Sequence, residues 1–144
     1  MNSFGMPHLM ASIIEWLVSY AGGIQPGDMG FHRISIRPFP GRGLHWVRAS
    51  YTSIHGEIGV CWKQMNDGAF SMQVVIPPNT QAAVSLPRRG ARPVVIYESG
   101  MPIWSKGALK RKVAGNSSAK EEAEYVSLEV GSGAYNFVSV PVNL

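Results

Sequence analysis

The stretch "GAFSMQVVIPPNTQAAVSLP" (residues 68–87) decides the fold. Phe70, Met72, Val74 and Ile76 alternate with Ser71, Gln73 and Val75, and after Pro77-Pro78-Asn79 the alternation resumes at Ala82, Val84 and Leu86. A period of two places successive side chains on opposite faces of a strand, so each run buries one face. The Pro-Pro-Asn between them is turn chemistry. Two strands with one shared apolar side are the expected unit.

The same pattern extends in both directions. Upstream, "GEIGVCWKQ" (56–64) aligns Ile58, Val60 and Trp62, and "FHRISIRP" (31–38) sets His32, Ile34 and Ile36 against Phe31, Arg33, Ser35 and Arg37. Downstream, "RPVVIYESG", "AEYVSLEVGSG" and "GAYNFVSVPV" follow suit, with Val126, Leu128 and Val130 aligned in the second. Asn66-Asp67-Gly68, Ser99-Gly100 and Gly131-Ser132-Gly133 separate these runs. About eight strands at this spacing predict a mainly β chain folded as an antiparallel β-sandwich or jelly roll. The polar segment 112–124 reads as a loop or a short helical turn.

One segment differs in kind. In "PHLMASIIEWLVSYAGGI" (7–24), Leu9, Met10, Ile13, Ile14, Trp16, Leu17 and Tyr20 recur at helical spacing. Pro7 suits the first turn, and Gly22 and Gly23 supply a stop. The helix is apolar almost all round, as helices buried among other helices are. No second segment reads as its partner, so residues 1–24 are expected to be the last helix of an otherwise absent helical domain, with 25–144 the sandwich. Glu15 is the lone acid on this helix, flanked by Ser12 and Ser19. That stripe faces either solvent or a cavity, and a buried glutamate would need partners.

Composition excludes several classes. The chain has 144 residues, 45 % apolar and 15 % charged, which suits one folded domain. Its net charge of +4 is scattered apart from 87–92 and 106–112, so no nucleic-acid partner is expected. Cys61 is the only cysteine. His8, His32, His45 and His55 lack metal-ligand spacing, so neither metal nor cofactor is expected. No run reaches the ~20 apolar residues of a membrane span, and the N-terminus does not read as a secretory signal. These features lean toward the cytoplasm, although a parent enzyme could be exported.

In "IRPFPGRGLHWVRASY" (36–51), Gly41-Arg42-Gly43 looks like the start of a phosphate loop. No helix follows to supply the N–H donors, so prolines and glycines are expected to turn a corner between two strands. Trp46 and Arg48 share one face of the second strand. They form either a sugar-stacking platform or a tryptophan half-buried beneath an arginine.

Taken together, Glu15-Trp16, Ala21 to Ile24 with Pro26, Ile34 to Arg37, Pro40 to Trp46, Ala49 to Ser53, Ile76 to Thr80, Leu86-Pro87, Glu98 to Gly100, Glu129 to Gly133, Tyr135 and Phe137 resemble, in order and spacing, the C-terminal end of bacterial α-L-rhamnosidases. The resemblance covers nearly the whole chain. It implies an inverting glycoside hydrolase with a six-hairpin helical barrel, whose general acid and base lie ahead of Met1. No catalytic residue is therefore expected here, and the chain is expected to hydrolyse nothing alone. The resemblance also implies a substrate-contacting histidine at the start of the last helix. The count places it at Pro7, one position before His8, so His8 and Glu15 are the substrate-binding candidates. The implied partners are the helical barrel, packed on the N-terminal helix, and a rhamnosylated glycan or glycoside bound through the parent enzyme. Two other readings stand beside this one. The first is a stand-alone carbohydrate-binding sandwich with Trp46, Arg48 or Trp104 as platform. The second is a module that forms homodimers through the apolar faces of the helix.

Overall fold

The computed structural model describes residues 23–26, 32–40, 45–88, 92–110 and 118–142. Twelve strands run through them: β1 (Ile24–Pro26), β2 (Arg33–Ile36), β3 (Trp46–Ser53), β4 (Gly56–Gln64), β5 (Phe70–Ile76), β6 (Gln81–Pro87), β7 (Val94–Glu98), β8 (Met101–Ser105), β9 (Ala108–Leu109), β10 (Ala119–Glu121), β11 (Tyr125–Val130) and β12 (Gly133–Pro141). They form a five-stranded sheet in the order β1-β2-β6-β11-β10 and a seven-stranded sheet in the order β3-β4-β5-β12-β7-β8-β9. Every pairing is antiparallel except β2 with β6, which is parallel. These two strands are separated in sequence by three strands of the other sheet, and so long a connection lets the chain return in the same direction.

The two sheets share one core. Ile58, Val60 and Trp62 of β4 and Phe70, Met72, Val74 and Ile76 of β5 meet Ala82, Val84 and Leu86 of β6 and Val126, Leu128 and Val130 of β11. Every residue that the alternation assigned to the inner face in these four strands is buried. Trp62 stacks on Phe70 with ring centroids 5.5 Å apart, and Tyr135 on Phe137 at 5.8 Å. Because the inner faces carry the apolar residues, the polar positions of the same strands are left on two outer faces.

The pattern did not reveal four short strands. β1, β8, β9 and β10 lie at or toward the sheet margins, where backbone pairing needs no alternating side chains. Ala119–Glu121, within a segment expected to be a loop or helical turn, pairs with Val126–Leu128 instead. Lys106-Gly107, within the basic run 106–112, is the tight turn between β8 and β9, and Ser99-Gly100 is the turn between β7 and β8. Both pairs have positive φ at each residue, which matches the twist of a two-residue hairpin. The expected N-terminal helix, with His8 and Glu15, lies outside the described residues, as does the Gly41-Arg42-Gly43 corner. The five-stranded sheet begins at Ile24, so its first strand spans the boundary expected between residues 24 and 25.

Candidate functional site

β3 forms one edge of the seven-stranded sheet. Val47 and Ala49 point into the core, which turns Trp46, Arg48 and Ser50 outward. Trp46 keeps 64 % of its surface exposed. The register then places Lys63 opposite Trp46, Cys61 opposite Arg48, Gly59 opposite Ser50 and Glu57 opposite Thr52. On the next strand, Gln73 lies opposite Cys61 and Val75 opposite Gly59.

Gly59 contributes no side chain, so the outer surface dips there. An open depression of ≈ 500 Å³ is lined by Arg48, Ser50, Glu57, Gly59, Cys61, Gln73 and Val75. Its walls carry donors at Arg48, acceptors at Glu57, both at Gln73 and Ser50, and apolar surface at Val75, which is 49 % exposed. A second depression of ≈ 520 Å³ lies at one end of the sandwich. It is lined by His32, Arg33, Asn79, Thr80, Gln81, Gly131 and Ser132. The His32 ring lies 4.6 Å from that of His55, centroid to centroid.

Trp104, the remaining platform candidate, is corrected by the structure. It is 3 % exposed and belongs to the core, so no ring face is open for stacking. The cause is local. The β7–β8 register shifts between Ile96 and Tyr97, and the irregularity turns both Ile103 and Trp104 inward, where strict alternation would bury only one.

The five-stranded sheet carries a polar clasp that sequence reasoning missed. Arg37, just after β2, donates to Glu122 Oε2 at 2.8 Å, and Ser127 Oγ of β11 donates to the same oxygen at 2.7 Å. Ser85 Oγ of β6 lies 2.8 Å from Ser127 Oγ. Arg88 donates through Nε and Nη2 to the Glu122 carbonyl at 3.0 and 2.6 Å. The Arg37 guanidinium also lies 4.6 Å from the centre of the Tyr125 ring, whose hydroxyl donates to the Pro38 carbonyl at 2.8 Å. The hydrogen bond from Ser127, followed by that from Arg37, holds the Glu122 carboxyl below the usual carboxylate range, whereas burial pushes the Tyr125 hydroxyl up. A carboxylate kept ionised and bonded in this way fastens the β10–β11 turn to β2 and β6. It is poorly suited to exchange protons with a substrate.

Among the described residues no group of three or more His, Cys, Asp or Glu side chains could hold a metal ion. Nor is any described helix long and apolar enough to cross a membrane.

Comparison with known proteins places this geometry. The family model for the bacterial alpha-L-rhamnosidase C-terminal domain matches residues 23–99. An alpha-L-rhamnosidase of Streptomyces avermitilis is 38 % identical over 87 residues, covering 60 % of this chain and 8 % of that protein. One of Formosa agariphila is 34 % identical over 87 residues, covering 60 % and 9 %. The chain thus spans less than a tenth of the length of these curated relatives. The alpha-L-rhamnosidase structure from Dictyoglumus thermophilum superposes with a TM-score of 0.72 at 28 % identity, over 83 % of this chain and 12 % of that one. The Streptomyces avermitilis enzyme complexed with L-rhamnose superposes with a TM-score of 0.65 at 28 % identity, over 85 % and 10 %. This chain belongs to the bacterial alpha-L-rhamnosidase C-terminal domain family.

Proposed function

We propose that this chain is the accessory β-sandwich portion of an α-L-rhamnosidase-like glycoside hydrolase and does not hydrolyse glycosides by itself. The observation that carries the reading is the match of residues 23–99 to a C-terminal domain family, in a chain that covers only 8 % and 9 % of its rhamnosidase relatives. The chemistry supports it. Inverting hydrolysis needs an acid and a base carboxyl about 6.5–9.5 Å apart across the sugar. The carboxylate most deeply engaged here, Glu122, is committed to Arg37 and Ser127. Glu98 accepts hydrogen bonds from Ser99 Oγ and the Asn136 amide. In this reading residues 1–24 complete a helical barrel, His8 and Glu15 face its substrate, and the sandwich braces the barrel from outside. The substrate, a rhamnosylated glycan or glycoside, is bound by the barrel.

The test is release of chromophore from p-nitrophenyl α-L-rhamnoside by the purified chain. No release above buffer is expected, and measurable turnover would overturn the proposal.

A further inference from the structure

We infer that the outer face of the seven-stranded sheet binds a neutral oligosaccharide long enough to span it, one ring stacked on Trp46 and a later ring of the same chain seated over Gly59. The site needs no barrel and no hydrolysis, so it stands or falls apart from the accessory reading.

The first observation is Trp46 itself. An indole left 64 % exposed on a strand whose alternate residues are buried presents a flat apolar face to water. The C–H face of a pyranose ring covers such a surface well, because it is apolar and flat while its edge hydroxyls stay free to hydrogen-bond. The second observation is the adjoining depression. Arg48 lies two residues along the same face, ~6.6 Å from Trp46, and Ser50, the ladder partner of Gly59, lies four residues along, ~13 Å from Trp46, a span of two to three sugar rings. Past it the surface dips over Gly59.

The third observation is the lining. Among the described residues, the side chains of Arg48, Glu57 and Gln73 make no hydrogen bond or ion pair with one another or with a neighbour, so their polar groups remain available. One cation, one anion and one amide offer both donors and acceptors without net charge, which suits hydroxyl groups better than phosphate or carboxylate. Val75 and the glycine floor accept C–H surface beside them. A mixed lining whose two opposite charges balance, next to a bare aromatic ring, is the chemistry of a neutral glycan.

The geometry provides a sharp control. A Cβ built on Gly59 meets only the Val75 side chain, at 3.7 and 3.9 Å, and Gly59 lies outside the left-handed region. Leucine at this position therefore fills the depression without straining the backbone and removes none of the polar groups.

The experiment titrates the full chain with cellotetraose, maltotetraose and xylotetraose, reading tryptophan fluorescence and the backbone amide shifts by NMR. At least one tetrasaccharide is expected to give saturable quenching together with a shift of the Gly59 amide. Quenching is expected to vanish in Trp46→Ala. Gly59→Leu and Arg48→Ala are each expected to weaken binding about tenfold or more, with melting temperatures close to that of the native chain. Absence of any saturable response, or affinity unchanged in a folded Gly59→Leu variant, would overturn the inference.

Discussion

Replacing Trp62 by alanine lowers the melting temperature of the domain by about 10 °C or more. Trp62 has no exposed surface and sits at the middle of the sandwich. Its neighbours across the ladder are Val47 on β3 and Met72 on β5, and its ring stacks on Phe70 at an interplanar angle of 28°. Truncation removes the transfer free energy of an indole and leaves a cavity that close-packed neighbours fill only in part. Such changes cost about 3–5 kcal/mol, a large share of the stability of a domain of this size. The strand ladder cannot compensate, because β4 is held on both sides and its backbone cannot move into the void. Phenylalanine should recover part of the loss by refilling part of the volume. Circular dichroism melts of the two variants provide the check, and a Trp62→Ala melt within a few degrees of the native chain would show that the core is not organised around this ring.

Gly23→Ala is expected to destabilise the fold by about 3 kcal/mol or more, through the backbone rather than through packing. Gly23 has a φ of +82°, where a Cβ is strained. An added Cβ would also lie 2.3 Å from the Arg37 carbonyl oxygen and 2.7 Å from the Pro38 nitrogen. Neither is the end of a flexible side chain, so the main chain itself would have to separate. The Arg37 N–H donates to the Gly23 carbonyl at 2.9 Å and continues the β1–β2 pairing. The same displacement would disturb the Arg37 side chain, which anchors the clasp at Glu122. Urea unfolding is the appropriate measurement, since the midpoint shift reports stability directly. An unchanged midpoint would show that β1 is dispensable to the sheet.

The inner faces were legible because alternation is local. Ile58, Val60 and Trp62, or Phe70, Met72, Val74 and Ile76, announce a buried face within a few residues. The turns were legible for the same reason, since Ser99-Gly100 carries its conformational preference in its own composition. The features that escaped depend on distant partners. Arg37 and Glu122 are 85 positions apart, and they meet only because β2 pairs with β6 and β6 with β11. The depression over Gly59 is equally non-local. A glycine in a strand signals close backbone approach or open space, and only the register against Ser50 and Val75 shows which. Trp104 misled for a related reason, because the β7–β8 irregularity that buries it leaves no mark in its own alternation. Trp46 was placed on the correct strand face, yet its exposure also depends on β3 lying at the edge of its sheet among the described residues, which only the pairing shows.

The most direct test of the accessory role is a segment exchange. The part of the Streptomyces avermitilis alpha-L-rhamnosidase that aligns with residues 25–144 of this chain would be replaced by those residues, leaving the parent's own last barrel helix in place, and hydrolysis of p-nitrophenyl α-L-rhamnoside measured beside thermal unfolding. If the sandwich braces a barrel that holds all the catalytic groups, the chimera hydrolyses the rhamnoside at a rate within about an order of magnitude of the parent enzyme, since no transition-state contact has been exchanged. A chimera that unfolds in the same cooperative transition as the parent but releases no chromophore would contradict the account, because the exchanged segment would then carry a group that the reaction needs.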